Sequence, residues 1–336
     1  MKILLLGSHL NYNLEHYVKM NLEKMRHEVV FYGYREKLGK FATPIRMAIC
    51  RSRSFRQLIQ RIALEKINEE IKRTAQKLRP DFVLSIKGEA VEPKTIEWIK
   101  SELGAKTALW YPDDPRFFNS LVKYIAPSYD HVFSASEKAV DMYKEIGVEN
   151  IHYLPFACEP TVHKKVELSD GEKKRYCADI VFVGTYCPRR SKIIRPLEKA
   201  GIGVRVYGPY WKSFKLGRNA CKGLYGPEMV KVFSSAKLVL NIHDETDMHF
   251  KANMRTFEVS GSDSFMLSDK PCGLEKLFNI GEEIICYDNE SELVELAKCY
   301  LEVESDRSAI AARAQQKAYR EHTYEQRMKE AIRMIG

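Results

Sequence analysis

An apolar run, Asp179–Val183, leads into Gly184-Thr185-Tyr186-Cys187-Pro188-Arg189-Arg190-Ser191-Lys192. Small residues after a strand let backbone N–H groups approach an anion, and the helix that follows offers its N-terminus. Arg189, Arg190 and Lys192 place positive charge beside that turn, an arrangement that suits a diphosphate without a metal. The structural alternative is a solvated basic helix start. A second stretch, Asn241-Ile242-His243-Asp244, ends an apolar run. A third, Asn253-Met254-Arg255-Thr256-Phe257-Glu258, has a plausible N-cap in Asn253 and a helix ending near Gly261. Arg255 and Glu258 lie about one turn apart. The carboxylate can take the two hydroxyls of a ribose while Arg255 and the helix N-terminus meet phosphates. An ordinary Arg–Glu surface pair would show the same spacing. The fourth stretch is Trp110-Tyr111-Pro112-Asp113-Asp114-Pro115. Adjacent carboxylates between prolines suit a rigid turn, where Asp113 or Asp114 can serve as general base, bind sugar hydroxyls, or cap the next helix. His9, just after Gly7-Ser8, is a fifth candidate, with a structural role as its alternative.

These residues need strands to hold them. Apolar runs at 2–6, 28–32, 81–86, 106–111, 131–134 and 151–154 alternate with helical patterns, the clearest at 59–78, which Arg79-Pro80 closes. The polar stretch 160–176 then reads as a linker. A second series of strands follows at 179–183, 204–207, 238–242, 264–267 and 284–287, and helices at 290–301, 306–321 and 324–335 end the chain. Asp179–Thr185 repeats the pattern of Lys2–Ser8: strand, glycine, small hydroxyl residue. The fold class expected is therefore α/β, two Rossmann-like domains with the cleft between them as default site. Neither half carries the G-x-G-x-x-G of a dinucleotide enzyme or a P-loop, and the second strand ends Tyr32-Gly33-Tyr34 with no acid for a ribose.

Composition narrows the class further. The chain has 336 residues and a formal charge of +9. Residues 1–165 carry 27 basic and 20 acidic side chains, so the excess lies in the N-terminal half. Between Arg46 and Arg61 stand five arginines and no acid, interspersed with Met47, Ile49, Phe55, Leu58 and Ile59. That segment suits peripheral contact with an anionic membrane or an anionic acceptor, or else a core-facing helix with snorkelling arginines. A nucleic-acid surface would interleave such arginines with a stacking platform of aromatics, which is missing, so no nucleic-acid partner is expected. No apolar run is long enough to span a bilayer, the N-terminal run is too short for a signal peptide, and eight scattered cysteines without C-x-x-C suit a reducing cytoplasm.

The set Trp110–Pro115, Leu154-Pro155-Phe156-Ala157, Leu240–His243, Arg255–Glu258 and His322-Thr323-Tyr324-Glu325-Gln326-Arg327 resembles, in this order, the CgeB-type (spore-maturation-protein-like) glycosyltransferases of the GT-B superfamily. The resemblance implies an N-terminal acceptor-side domain over 1–160, a linker over 161–176 and a nucleotide-sugar domain over 177–322. A terminal helix, 323–336, would pack back onto the first domain. It implies a hexosyltransferase that uses a nucleotide-diphosphate sugar and passes the sugar to a glycan, protein or lipid. Donor contacts are expected at Gly184, Thr185, Arg189, Lys192, Tyr207, Gly208, Tyr225, Asn241, His243, Asn253, Arg255 and Glu258. Catalytic candidates are Asp113, Asp114, His9 and Arg255. Of the Glu-x7-Glu pair of many retaining GT-B enzymes, Glu258 matches the second and Phe250 stands at the first, with His249 or His243 as conceivable substitutes. No cofactor and no metal are expected, because no D-x-D triplet occurs at Asp113-Asp114. The alternatives are a nucleotide-sugar epimerase on the same fold and a non-catalytic nucleotide-sugar-binding or assembly protein.

Overall fold

The computed structural model describes residues 1–35, 37, 53–214 and 220–336. The chain divides into two compact units, Met1–Pro155 with Met328–Gly336, and Phe156–Arg327.

The N-terminal unit is built on strands β1 (Lys2–Gly7), β2 (Glu28–Gly33), β3 (Phe82–Ile86), β4 (Lys106–Tyr111), β5 (His131–Ser134) and β6 (Ile151–Tyr153). They form one parallel sheet ordered β2-β1-β3-β4-β5-β6. In register, Leu4 lies beside Val30 on one side and Val83 on the other. Central strands β1, β3 and β4 are buried on both faces, which is why they read as continuous apolar runs. Helices α1 (Leu14–Lys24), α2 (Arg53–Leu78), α3 (Pro93–Leu103) and α4 (Val140–Glu145) connect them. Helix α2 begins earlier than the periodicity suggests, at Arg53 rather than Ile59. Ile67, Ile71 and Ala75 of α2 are buried in the same core as Leu4, Leu6, Val83 and Leu109. The basic segment at 46–52 lies outside the described residues. Downstream, Arg61 pairs with Glu65 one helical turn away at 3.0 Å.

The C-terminal unit opens with an irregular entry segment, 156–169, and helix α5 (Asp170–Tyr176). Sequence polarity suggested a linker here, but Ser169 and Glu172 form a reciprocal capping box that starts the helix. Strands β7 (Ala178–Val183), β8 (Val204–Tyr207), β9 (Ala220–Cys221), β10 (Ala236–Asn241), β11 (Met266–Ser268) and β12 (Ile285–Cys286) form a second parallel sheet, ordered β12-β11-β10-β7-β8-β9. The two-residue β9 is too short to leave a periodic signal. Helices α6 (Pro188–Lys199), α7 (Gly226–Ser235), α8 (Glu245–Phe250), α9 (Met254–Gly261), α10 (Glu290–Glu302) and α11 (Glu304–Glu321) pack around it. The last helix, α12 (Tyr324–Ile335), begins in this unit and ends among the residues of the first, where Lys106 donates to Ile335 O at 2.7 Å. Among the described residues no helix is long and apolar enough to cross a membrane.

Candidate active site

In the C-terminal unit, the ends of β7, β8 and β10 place the turn 184–187 beside the start of α9. Gly184 N–H donates to Tyr207 O at 2.9 Å and Tyr186 N–H to Pro209 O at 3.2 Å, so two loops are laced together. Trp211 donates its indole N–H to Gly184 O at 2.8 Å and meets Phe182 and Tyr186 edge-on. A Cβ on Gly208 would lie 1.9 Å from Gly184 O, so only glycine permits this approach. Thr185 is exposed at the turn, and Cys187 begins α6 without any side-chain cap.

The basic residues after this turn divide by task. Arg189 donates to Asp269 Oδ2 at 2.6 Å and to His243 O at 2.5 Å. Arg190 spans Ile242 O at 3.0 Å and Thr185 O at 2.9 Å, with its guanidinium over Phe182. Both are therefore braces, and the donor-phosphate role expected for Arg189 is taken up by protein carboxylate and carbonyl. Lys192 remains exposed.

Asn241, His243 and Asn253 are likewise wired into the fold. His243 is fully buried. Its Nε2 accepts Asn253 N–H at 3.0 Å, which leaves the proton on Nδ1 to donate to Asp269 Oδ1 at 2.6 Å. Asn253 accepts Thr256 N–H at 3.0 Å as N-cap of α9 and donates to Asn241 Oδ1 at 3.0 Å, while Asn241 donates to Thr256 Oγ1 at 3.1 Å. These side chains fix where α9 begins; Asn241 and His243 are buried and bonded within the fold, while Asn253 is half-buried. Asp269, which anchors both His243 and Arg189, escaped the sequence reading. Its signal was an acid directly after β11, at the carboxyl end of a parallel strand. His249 is exposed and pairs with Glu245.

Arg255 carries the charge at this edge. Its Nε donates to Val183 O at 3.2 Å, so the guanidinium sits where β7 gives way to the Gly184-Thr185 turn. It touches Met229 Sδ, lies over the Phe233 ring and pairs with Glu258 Oε2. Glu258 is buried, and burial raises its pKa against the opposing pull of Arg255. Tyr207, expected to face a ligand, is buried with its hydroxyl unpartnered, because β8 turns that residue inward. The exposed aromatics of these loops are Tyr225 and Tyr210, the latter held at φ 69.

The N-terminal unit gathers a different set. Asp113 Oδ2 accepts from Lys87 Nζ at 2.5 Å after β4 and β3. Burial works to lower the Lys87 pKa, but Asp113 and Glu89 outweigh it and the net shift is upward. Lys87 itself, at φ 66, was missed by the sequence reading. Asp114 is fully buried, accepting from Ser134 Oγ at 2.7 Å and Tyr143 OH at 2.9 Å. It shapes the turn and cannot reach a substrate, so of the two carboxylates only Asp113 is available. His9 is half-buried, with Nδ1 2.9 Å from Ser8 Oγ. Among the described residues no cluster of three or more His, Cys, Asp or Glu is placed to hold a metal ion.

Residues 189–333 match the family described as glycosyl transferase-like. The spore protein CgeB of Bacillus subtilis (strain 168) is 24% identical over 253 residues, covering 70% of this chain and 76% of CgeB. The chain is thus similar to CgeB over most of its length and, over its C-terminal part, to glycosyl transferase-like proteins. Its fold is GT-B. Anabaena HepE, solved with UDP-glucose, is 13% identical with a TM-score of 0.67 over 99% of both chains. Sucrose-phosphate synthase of Thermosynechococcus elongatus is 12% identical with a TM-score of 0.66, covering 99% of this chain and 98% of the synthase. Two of the CgeB-like motifs meet inside the C-terminal unit. Cys158 N–H donates to His322 O at 2.8 Å, Tyr324 N–H donates to Cys158 O at 3.0 Å, and Arg327 reaches Phe156 O at 3.4 Å. His322 is buried between Leu277 O and Arg327, and burial pushes its pKa down to about 4. The terminal motif therefore joins entry to exit of this unit.

Proposed function

We propose that this chain is a glycosyltransferase that moves a sugar from a nucleotide-diphosphate sugar, without a metal ion, to an acceptor served by the N-terminal unit. The observation that carries the reading is Arg255: its guanidinium is fixed at the end of β7, beside a glycine-hydroxyl turn and an uncapped helix start. As the nucleoside diphosphate leaves, negative charge grows on its phosphates. A cation and backbone N–H groups already fixed in place stabilise that charge without reorganising. Glu258 is buried and holds Arg255 in place, while Tyr210 and Tyr225 are the exposed rings available to a base. Asp113 is the candidate general base or sugar ligand, with Lys87 holding its orientation. Uridine is the base to try first, since HepE of the same fold is seen with UDP and with UDP-glucose. Contact of the Arg46–Arg61 segment with anionic lipid belongs to the same proposal, its mark being weak, salt-reversible vesicle binding that falls when Arg51, Arg53 and Arg56 are all changed to Gln.

The test is a thermal-shift panel of UDP, GDP, dTDP and CMP compounds. A nucleotide present at about a hundred times its Kd adds roughly 2.7 kcal/mol of stability, and UDP is expected to be the one that does. No stabilisation by any member of the panel overturns the donor assignment.

A further inference from the structure

Buried groups outside the donor loops converge on Glu258 from the entry segment. His163 is fully buried, and its Nδ1 accepts Glu159 N–H at 2.8 Å. With Nδ1 an acceptor, the ring proton lies on Nε2. That nitrogen stands 3.7 Å from Glu258 Oε1, while Glu258 Oε2 holds Arg255. We infer that His163 is a positioning residue, a neutral donor that keeps the Glu258 carboxylate ionised and aimed at Arg255, and so fixes the cation that meets the diphosphate. This rests on the donor reading above.

The surroundings leave the ring little freedom. Glu159 is itself buried and accepts Thr161 N–H at 3.2 Å and Thr161 Oγ1 at 2.8 Å, which sets the turn that carries His163. Tyr319 of α11 donates its hydroxyl to His163 O at 2.8 Å. Gly261 at the end of α9 lets the entry segment pack directly on that helix, since a Cβ there would lie 2.8 Å from Cys158 Cβ and 3.2 Å from His163 Cβ. The titratable or charged groups that face Glu258 are Arg255 of its own helix and, from the entry segment, His163 and Cys158. Burial, with Arg255 adding to it, pushes the His163 pKa down to about 3, so the ring stays neutral through the working range. A neutral N–H donor beside a buried carboxylate favours the ionised form without adding a charge that must be desolvated.

Two substitutions separate this role from simple packing. His163→Asn keeps an acceptor for Glu159 N–H but withdraws the donor from Glu258; His163→Gln keeps a donor that reaches toward Glu258. With UDP-glucose as probe, the Asn variant is expected to lose about two- to threefold in kcat/KM, because at 3.7 Å the contact is a polar approach longer than a full hydrogen bond. Its acid limb should move to higher pH, because Glu258 then protonates more readily. The Gln variant should keep the wild-type limb. An Asn variant with the wild-type acid limb and kcat/KM overturns the inference. A second arm needs no turnover and no variant at position 163. In 15N-histidine spectra His163 should show the Nε2–H tautomer from pH 5 to pH 8, with a resonance that moves in Glu258→Gln. The Nδ1–H tautomer, or a resonance indifferent to that substitution, overturns the pairing. A wild-type protein that turns over no nucleotide sugar refutes the transfer reading instead, and the spectra still judge the pair.

Discussion

The first strands of the two units end alike in sequence, Gly7-Ser8 and Gly184-Thr185, yet the two turns are finished differently. In the N-terminal unit a buried carboxylate of the protein occupies the position an anion would take. Glu15 Oε1 accepts Ser8 N–H at 3.1 Å and Ser8 Oγ at 2.8 Å, and a Cβ on Gly7 would lie 2.6 Å from Glu15 Cγ. Among the described residues of the C-terminal unit no acid fills the turn. Its carbonyls are taken instead by donors, Gly184 O by Trp211 and Thr185 O by Arg190, and Arg255 stands at the strand end. The same strand-turn-helix element is thus closed by a carboxylate in one unit and flanked by an Arg255–Glu258 pair in the other. The lesson is that the element alone does not make a phosphate site; the side chain that arrives next to it decides. The N-terminal unit has instead set a partly exposed carboxylate, Asp113, after β4.

That contrast can be broken in three ways. The largest effect is expected at Asp113. Asp113→Asn should cut kcat by about 10²–10⁴, the usual range for a general base, with an unchanged melting temperature. Its neighbour should do the reverse. Asp114→Asn leaves Ser134 and Tyr143 imperfectly paired and should cost about 1–3 kcal/mol in chemical denaturation while sparing kcat/KM per folded molecule. Loss of activity in the Asp114 variant at full stability would reverse the assignment of the pair.

The glycines come second. Gly208→Ala forces a methyl group against Gly184 O and should destabilise by about 1–3 kcal/mol while weakening UDP binding. Gly7→Ala presses on Glu15 and should show the stability loss alone. Equal UDP affinity in the two variants, measured by calorimetry below their unfolding temperatures, would mean that the Gly184 turn does not touch the donor. The smallest effect is that of chelation. Transfer should be unchanged in excess EDTA, because Arg255 and the turn supply the positive field; activity lost to EDTA and restored by Mg²⁺ or Mn²⁺ would reject that mechanism.

Much of this fold was legible because parallel strands buried on both faces leave unbroken apolar runs, as in Lys2–Leu6 and Asp179–Val183. Burial, in contrast, leaves no mark on a single polar residue. Asn241, His243 and Asn253 have the types and spacing of ligands, but a hydrogen-bond lattice around Asp269 consumes them. Asp113 and Asp114 are adjacent and chemically identical, and only the packing of Tyr143 and Ser134 separates them. The stretch 160–176 looked like a linker because Lys and Glu dominate it, and that polarity hid His163 and Tyr176, both buried in the C-terminal unit. Lys87 was invisible for a similar reason: its partner lies across a strand, 26 positions away in the chain.

Arg255 is where the account is most exposed. The direct measurement is the release of UDP from UDP-glucose by wild-type protein and by Arg255→Ala, with UDP affinity measured by calorimetry on the same samples. Charge on the diphosphate grows between the bound state and the transition state, so the variant should lose about 10²–10³ in kcat, as when one fixed donor to a developing charge is removed, and distinctly less in UDP affinity. An Arg255→Ala protein that folds normally, binds UDP and releases it from UDP-glucose at the wild-type rate would contradict the assignment of this edge as the donor site.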